Sequence, residues 1–266
     1  MMTTTGVQGV GKTFQNMHII KEYVKDKFYN NVPGRRCLVF DTNGEYVQSE
    51  FAKADIKNFD AVRMNLEDVT AWSRTGPIEC RRIDGKNASI PEKQKALEFL
   101  LKNYIDGMLV IEDINTYILS MTHMEEVVGG LVNLRHRGVD VLISYQSLRP
   151  VESRIWQNTR WVRMHYQADR VEDIRGKVSN PQLFKIAQLL VNNRYFDGDK
   201  RFFVYILNFD NKIEGKFTKQ EFELACQQYL NANKKEVKEY KDIHKVSEAE
   251  AVIGRVKQLT GQYYGN

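Results

Sequence analysis

The stretch with the clearest chemistry lies near the start of the chain, where residues 6–13 read Gly-Val-Gln-Gly-Val-Gly-Lys-Thr. Glycines at these positions, followed at once by Lys12 and Thr13, form a Walker A pattern. Glycines let successive backbone N–H groups turn toward a phosphate, and the N-terminus of a following helix adds partial positive charge. Lys12 would reach the β- and γ-phosphates, and the Thr13 hydroxyl would bind Mg²⁺. The residues predicted to bind ATP and Mg²⁺ are Gly6, Gly9, Val10, Gly11, Lys12, Thr13 and Phe14.

A second stretch that could do chemistry is the apolar run 108–111, which ends in Glu112 and Asp113. An apolar strand that delivers carboxylates to the edge of a sheet is typical of a Walker B element. By position, Glu112 would bind Mg²⁺ together with Thr13, and Asp113 would polarise the attacking water. The alternative is a pair of turn carboxylates that follow a strand and bind nothing.

Gln146 follows the next apolar run, residues 139–144. A polar side chain at the carboxyl end of a buried strand could sense the γ-phosphate or orient water. A single glutamine could equally be an ordinary loop amide. We include Gln146 among the candidate catalytic residues, with Lys12, Glu112 and Asp113.

Strands and helices alternate along the chain, which predicts an α/β fold. We expect a mostly parallel central sheet flanked by helices, followed by a C-terminal β-hairpin and a helical tail. The predicted strands are residues 1–5, 36–40, 61–66, 78–83, 108–111, 139–144 and 161–166, and the hairpin pairs 202–207 with 213–217. The first predicted helix begins after Thr13. The other predicted helices cover residues 91–104, 124–137, 151–157, 181–193 and the tail. The first helix would have an apolar face of Phe14, Met17, Ile20, Val24 and Phe28. We divide the chain into a core of residues 1–218 and a helical extension of residues 219–266.

The composition limits the class of protein. At 266 residues and 42% hydrophobic content, the chain can form one large domain with an extensive core. No apolar run of about 18 residues is present, which predicts no membrane span, and a signal-peptide pattern is also missing. Cys37, Cys80 and Cys226 are widely spaced and contain no CxxC pair, which indicates a reducing compartment and no structural zinc. We therefore expect a cytoplasmic protein.

Basic residues are distributed unevenly, although the net charge is only +5. Residues 103–176 contain no lysine, whereas residues 135–175 contain eight arginines. The eight are Arg135, Arg137, Arg149, Arg154, Arg160, Arg163, Arg170 and Arg175. Guanidinium groups suit bidentate contacts to phosphate and arginine fingers that act between subunits. For any single arginine, solvation or pairing with a nearby carboxylate is the more common role. The group as a whole favours a phosphate-bearing partner.

Four stretches together resemble the FtsK–HerA superfamily of P-loop ATPases, which pump DNA through rings. They are the Walker A loop, the turn Val-Phe-Asp-Thr-Asn-Gly-Glu-Tyr at residues 39–46, the Walker B strand, and the basic residues 135–139 that lead to Gln146. The resemblance covers about residues 1–167 and implies a RecA-like P-loop NTPase core. Family members usually end Walker B in Asp-Glu, whereas this chain has Glu112-Asp113. That reversal leaves open which carboxylate is catalytic.

Within the superfamily, the chain looks most like the genome-packaging ATPases of viruses and phages. We expect a protein without the N-terminal barrel of cellular HerA proteins and without the membrane anchor of FtsK. The resemblance implies an ATPase that translocates DNA into a capsid. The implied partners are DNA, a homo-oligomeric ring of five or six copies, and a capsid or portal protein, with the chain in the host cytoplasm or at a capsid vertex.

In such a ring, ATP would lie between subunits and an arginine of the neighbour would complete the site. We favour Arg137 for this role and Arg160 next. Residues 219–266 are the candidate contact with another subunit or with a portal. Two alternatives are an assembly or secretion ATPase like the zonula-occludens-toxin-like phage proteins, and a P-loop kinase of small molecules.

Overall fold

A computed structural model of the protein describes residues 1–25, 33–118 and 121–266, with only the backbone described for residues 121–124. Phe28, predicted on the apolar face of the first helix, lies outside the described residues. The chain forms two compact units. The first comprises Met1–Thr4, Gly11–Gln146 and Pro150–Asn158, and the second comprises Thr5–Val10, Ser147–Arg149 and Thr159–Asn266.

The first unit is built on parallel strands. Its strands are β1 (Met2–Thr5, with Thr5 in the second unit), β2 (Cys37–Asp41), β3 (Val62–Arg63), β4 (Cys80–Asp84), β5 (Gly107–Ile111) and β6 (Val139–Tyr145), in the spatial order β3-β4-β2-β5-β6-β1. β2 pairs in parallel with β4 and β5, β4 pairs in parallel with β3, and β5 with β6. Every residue of β2 and β5 is buried, as expected for parallel strands covered on both faces.

Helices cover this sheet. They are α1 (Lys12–Val24), α2 (Gln48–Lys53), α3 (Val69–Thr75), α4 (Ile90–Asn103), α5 (Met121–Leu134) and α6 (Ser153–Asn158), with short 3₁₀ turns at Leu66–Asp68, Ile114–Thr116 and Arg135–Arg137. α1 contacts β2 and β4, whereas α5 contacts β6 and α4. Ile20 of α1 packs in one hydrophobic core with Val39 of β2 and Val110 of β5.

The second unit combines antiparallel strands with four helices. The strands β7 (Trp161–His165), β8 (Phe203–Leu207) and β9 (Lys212–Gly215) pair in that order, both pairs antiparallel. The helices are α7 (Pro181–Phe196), α8 (Lys219–Ala232), α9 (Lys234–His244) and α10 (Glu248–Tyr263), and a 3₁₀ turn covers Val171–Ile174. Capping boxes formed by Thr218 with Glu221 and by Ser247 with Glu250 set the starts of α8 and α10.

The predicted α/β fold and the hairpin of β8 and β9 are confirmed. The predicted helix 124–137 ends as an α-helix at Leu134 and continues as the 3₁₀ turn Arg135–Arg137. The three cysteines are buried free thiols. No helix among the described residues is long and apolar enough to cross a membrane. The division at residue 218 stays a prediction, because compact units are not necessarily units that fold alone.

Candidate active site

The Walker A loop, residues 6–13, has the backbone that its glycines predict. Gly9 and Gly11 have φ of 82° and 86°, in the left-handed region that favours glycine. A Cβ at Gly9 would meet nothing within 4 Å, so the loop has open space at this residue. Gly11 precedes α1 without a side-chain cap, and Lys12 in the first turn is 9% exposed. A helix that begins this way, directly after such a loop, suits an anion.

The start of the loop lies against residues 165 and 166 of the second unit. The backbone N–H of Val7 donates a 2.9 Å hydrogen bond to the carbonyl of Tyr166. A Cβ at Gly6 would lie 2.7 Å from Cβ of His165, so a larger residue would push the loop away. Val10 is buried. Phe14, also predicted to contact the nucleotide, is half-buried and its ring lies 5.0 Å from that of His18.

Thr13 is bonded to a carboxylate that the sequence did not identify. Its Oγ1 donates a 2.7 Å hydrogen bond to Oε2 of Glu45, which lies in the turn after β2. Thr13 and Glu112 were predicted as the joint Mg²⁺ ligands. Glu45, however, is the carboxylate that accepts the hydrogen bond from the Thr13 hydroxyl.

Asp41 shapes the turn that carries Glu45. Its fully buried carboxylate accepts the backbone N–H groups of Gly44, Glu45 and Tyr46 at 2.8, 3.0 and 3.1 Å. A carboxylate that accepts three N–H groups fixes a turn firmly. The Arg82 guanidinium on β4 lies 3.7 Å from Asp41 Oδ2 and compensates the buried charge.

Glu112 is 2% exposed and lies among polar side chains. Its Oε1 accepts a 2.8 Å hydrogen bond from the amide of Asn16 on α1 and another from the Tyr46 hydroxyl. The Asn16 amide also reaches Oγ of Ser144 on β6, at 3.0 Å. Burial raises the pKa of Glu112, while the bonds from Tyr46 and Asn16 act in the opposite direction. This cluster ties the first turns of α1 to the carboxyl ends of two strands.

Asp113 has a different environment. It is half-buried and has the left-handed backbone φ of 44°. Its Oδ2 accepts hydrogen bonds from Nε2 of Gln146 at 3.1 Å and from Nδ2 of Asn43 at 3.2 Å. Two amides therefore orient the Asp113 carboxylate, and the structure brings Gln146 together with the acidic pair.

The two candidate finger arginines lie elsewhere. Arg137 precedes the amino end of β6, at the edge of the first unit's sheet opposite to Asp113 and Gln146. Its guanidinium donates to the carbonyls of Leu101 and Lys102 at the end of α4. Burial lowers the pKa of Arg137. Arg160, in the second unit, is exposed directly before β7.

The side chains near Thr13 could bind Mg²⁺ together with the phosphates of a nucleotide. Among the described residues, no group of three or more His, Cys, Asp or Glu could hold a metal ion. Mg²⁺ is commonly held by one or two protein side chains together with substrate phosphates. Thr13 together with Glu45 or Glu112 would supply two such side chains.

Sequence reasoning missed Glu45, Asn16, Tyr46 and Ser144. Glu45 and Tyr46 belong to a turn that was singled out for its resemblance, without a role for either residue. Asn16 lies one helical turn after Thr13, and a polar residue on the buried face of α1 was the available signal.

No protein-family model matches the chain, and no curated protein does. Solved structures that are similar include the genome packaging NTPase B204 from Sulfolobus turreted icosahedral virus 2 in complex with AMPPCP, at 12% identity, 80% of this chain, 95% of that chain and a TM-score of 0.47. The same protein in complex with ATP-gammaS matches at 13% identity with the same coverage and score. The N-terminal domain of zonular occludens toxin from Neisseria meningitidis matches at 13% identity, 63% of this chain, 76% of that chain and a TM-score of 0.33. Likenesses this distant leave the function to be argued from the residues.

Proposed function

We propose that the protein hydrolyses ATP in a Mg²⁺-dependent reaction. The observation that carries this proposal is the juxtaposition of the Walker A residues with three carboxylates. Thr13 is bonded to Glu45, and Asn16, one turn later on the same helix, is bonded to Glu112. Asp113 follows Glu112 directly and is held by Gln146. Within the first unit, the last residues of the Walker A pattern, Lys12 and Thr13, are therefore close to a group of acidic residues at the first turns of α1.

Each group has a role in this reaction. Lys12 would neutralise the β- and γ-phosphates, and Thr13 with Glu112 would hold Mg²⁺, which offsets negative charge on the phosphates. Asp113, oriented by two amides, would accept a proton from the attacking water. Gln146 would hold that water or the γ-phosphate. Glu45 is a second candidate base, because it is a carboxylate already bonded to Thr13.

We further propose that hydrolysis drives nucleic acid through a ring of identical subunits, as in packaging of a viral genome. The resemblance of four stretches to DNA-pumping ATPases supports this. Six of the eight arginines in residues 135–175 are exposed, as contacts to phosphate require. The exceptions are Arg137, which is half-buried, and Arg163, which is buried. DNA would be gripped through phosphates, so binding should weaken steeply with salt.

The finger arginine would come from a neighbouring copy. Arg160 is the stronger candidate for the arginine finger, because its side chain is exposed. The Arg137 guanidinium is instead hydrogen-bonded to backbone carbonyls at the end of α4. For residues 219–266 we propose a contact with another copy or with a portal. Ile243 and Ile253 in this segment are 73% and 67% exposed, which suits such a contact.

ATP turnover measured with and without DNA tests the proposal. We expect turnover that DNA stimulates, in particles that electron microscopy shows as rings. Turnover indifferent to any nucleic acid, with the protein bound to membranes or a coat protein, would instead favour the secretion ATPase. Phosphoryl transfer to a metabolite by a monomer would favour the kinase.

A further inference from the structure

Four lysines follow one another along one side of α9, in the second unit. Lys234, Lys238 and Lys241 belong to the helix, and Lys245 is the residue directly after it. An α-helix turns by about 100° per residue, so steps of four, three and four residues return each side chain to nearly the same direction. All four side chains are exposed. We call these four residues the lysine row.

Most of the positive charge in the lysine row has no carboxylate partner. Nζ of Lys234 lies 3.6 Å from Oε1 of Glu248 at the start of α10. Among the described residues, the other three lysines of the row form no ion pair. These three span seven residues, which is about 10 Å of helix, so their charges repel one another. An anion bound along the row would relieve that repulsion.

The lysine row borders a groove with a volume of about 390 Å³. The side chains that line this groove are Lys234, Val237, Lys238, Lys241, Asp242 and Glu248. Half of them are lysines of the row, and Val237 is buried against the rest of the unit. The groove lies between the face of α9 and the start of α10, and all of its residues belong to the second unit. A polyanion could therefore lie along the row with its charges beside the ammonium groups.

The side chains of this face favour a phosphate chain over a protein or a lipid surface. Cores of protein interfaces are depleted in lysine and rich in aromatic residues, and helices that bind membranes carry apolar residues to insert. Ile243 of α9 is 73% exposed, but it lies two residues after Lys241 and therefore about 200° around the helix from it. The exposed apolar side chain is thus on the side of α9 opposite to the lysine row.

We infer that the lysine row binds the phosphate backbone of the nucleic acid that the proposed translocase moves. This inference rests on the proposed function. From Lys234 to Lys245 the row extends over about 16 Å, and the phosphates of one strand of a duplex follow at about 3.4 Å along its axis, so the row faces about five phosphates. Lysine ammonium groups are point charges that need no base edge, which suits a strand that moves past them.

The test is the salt dependence of DNA binding in a variant that combines Lys238→Gln, Lys241→Gln and Lys245→Gln. Glutamine keeps a long side chain and a good helix propensity but removes the charge. Binding of a labelled DNA duplex is measured by fluorescence anisotropy over a range of salt concentrations. The plot of log affinity against log salt concentration should become less steep by about 0.9 for each lost phosphate contact, hence by about 2.7.

A matched control removes the same charge from three other exposed lysines of the second unit. It combines Lys216→Gln, Lys219→Gln and Lys257→Gln, and all three of these residues lie outside α9. We expect this control to keep the wild-type slope. ATP turnover without DNA should be equal in wild type and in both variants, because neither variant changes a residue of the proposed active site.

Equal slopes in wild type and the lysine-row variant would overturn the inference, and so would an equal change in both variants. Both results would leave the proposed function in place. A lysine-row variant that binds DNA as wild type does, but no longer binds polyglutamate, would assign the row to an acidic protein segment instead. Failure of the wild type to bind DNA even at low salt would overturn the proposed translocation, and this inference with it.

Discussion

The Thr13 hydroxyl donates a 2.7 Å hydrogen bond to Glu45, a residue 32 positions further along the chain. Thr13 is the residue that the Walker A pattern assigns to Mg²⁺. A carboxylate at this distance will be close to any cation that Thr13 binds. We therefore propose that Glu45 takes part in the chemistry of the site, and the Asp41-fixed turn is the element that brings it to Thr13.

Replacing Glu45 by glutamine should lower ATP turnover and raise the Mg²⁺ concentration required for half-maximal rate. The change removes a negative charge next to Thr13 while keeping the size of the side chain. We expect a loss of about 10- to 100-fold in turnover, since hydrogen bonds to charged groups contribute about 1.5–3 kcal/mol. Glu50→Gln, on α2 and paired with Lys53, is the control and should behave as wild type. Unchanged turnover in Glu45→Gln would remove Glu45 from the site.

The acidic pair should separate into two roles. Asp113→Asn should keep ATP binding but reduce turnover by about 10²- to 10⁴-fold, the usual contribution of a general base. Glu112→Gln should bind ATP but respond weakly to Mg²⁺. Steady-state rates across a Mg²⁺ titration distinguish the two. Near-normal turnover in Asp113→Asn, with turnover lost and Mg²⁺ binding intact in Glu112→Gln, would show the roles to be reversed.

Asp41→Ala should destabilise the protein as well as inactivate it. The buried carboxylate accepts three backbone N–H groups, and without it those donors lose their partner. We expect the free energy of unfolding to fall by about 3 kcal/mol, measured by urea denaturation. Asp84→Ala is a matched control, because Asp84 lies opposite Asp41 in the β2–β4 register, also beside Arg82, but is partly exposed. A similar loss in both variants would mean that the turn contributes little.

A finger arginine can be identified by complementation. Mixed oligomers of Lys12→Ala and Arg160→Ala subunits should recover part of the ATP turnover that each variant lacks alone, because some interfaces combine an intact loop with an intact arginine. The same mixture with Arg137→Ala should give less recovery, since that variant also loses its contacts with the end of α4. Rings that form but show no recovery at any ratio would eliminate Arg160.

Much of the site follows from local pattern. Glu112, Asp113 and Gln146 could be placed at one edge because each follows a buried apolar run, and the carboxyl ends of parallel strands meet at the same edge. The Gln146–Asp113 contact lies at that shared edge, and it is a finding of the structure that the sequence analysis does not predict. The Walker A glycines likewise have the left-handed backbone that such a loop requires.

The Thr13–Glu45 bond could not be predicted in this way, because it depends on how the turn 42–46 folds back toward α1. Asp41 fixes the fold of this turn by accepting hydrogen bonds from its backbone N–H groups. No sequence periodicity identifies a carboxylate with that role. α2 and α3 were missed as well, since six- and seven-residue helices are too short to show a helical repeat. In the tail, the exposure of lysines such as Lys238 follows from the charge pattern, whereas burial of Phe222 and Leu259 depends on how the three helices pack.

The measurement that most directly tests the central claim is steady-state ATP turnover of wild type and Lys12→Ala, with Mg²⁺ and DNA present. Lys12 is buried beside the loop and would oppose the charge that develops on the β- and γ-phosphates. The account predicts Mg²⁺-dependent turnover in wild type and a loss of at least about a hundredfold in Lys12→Ala. Lys25→Ala, an exposed lysine just after α1, should retain wild-type turnover. Equal turnover in wild type and Lys12→Ala would contradict the account.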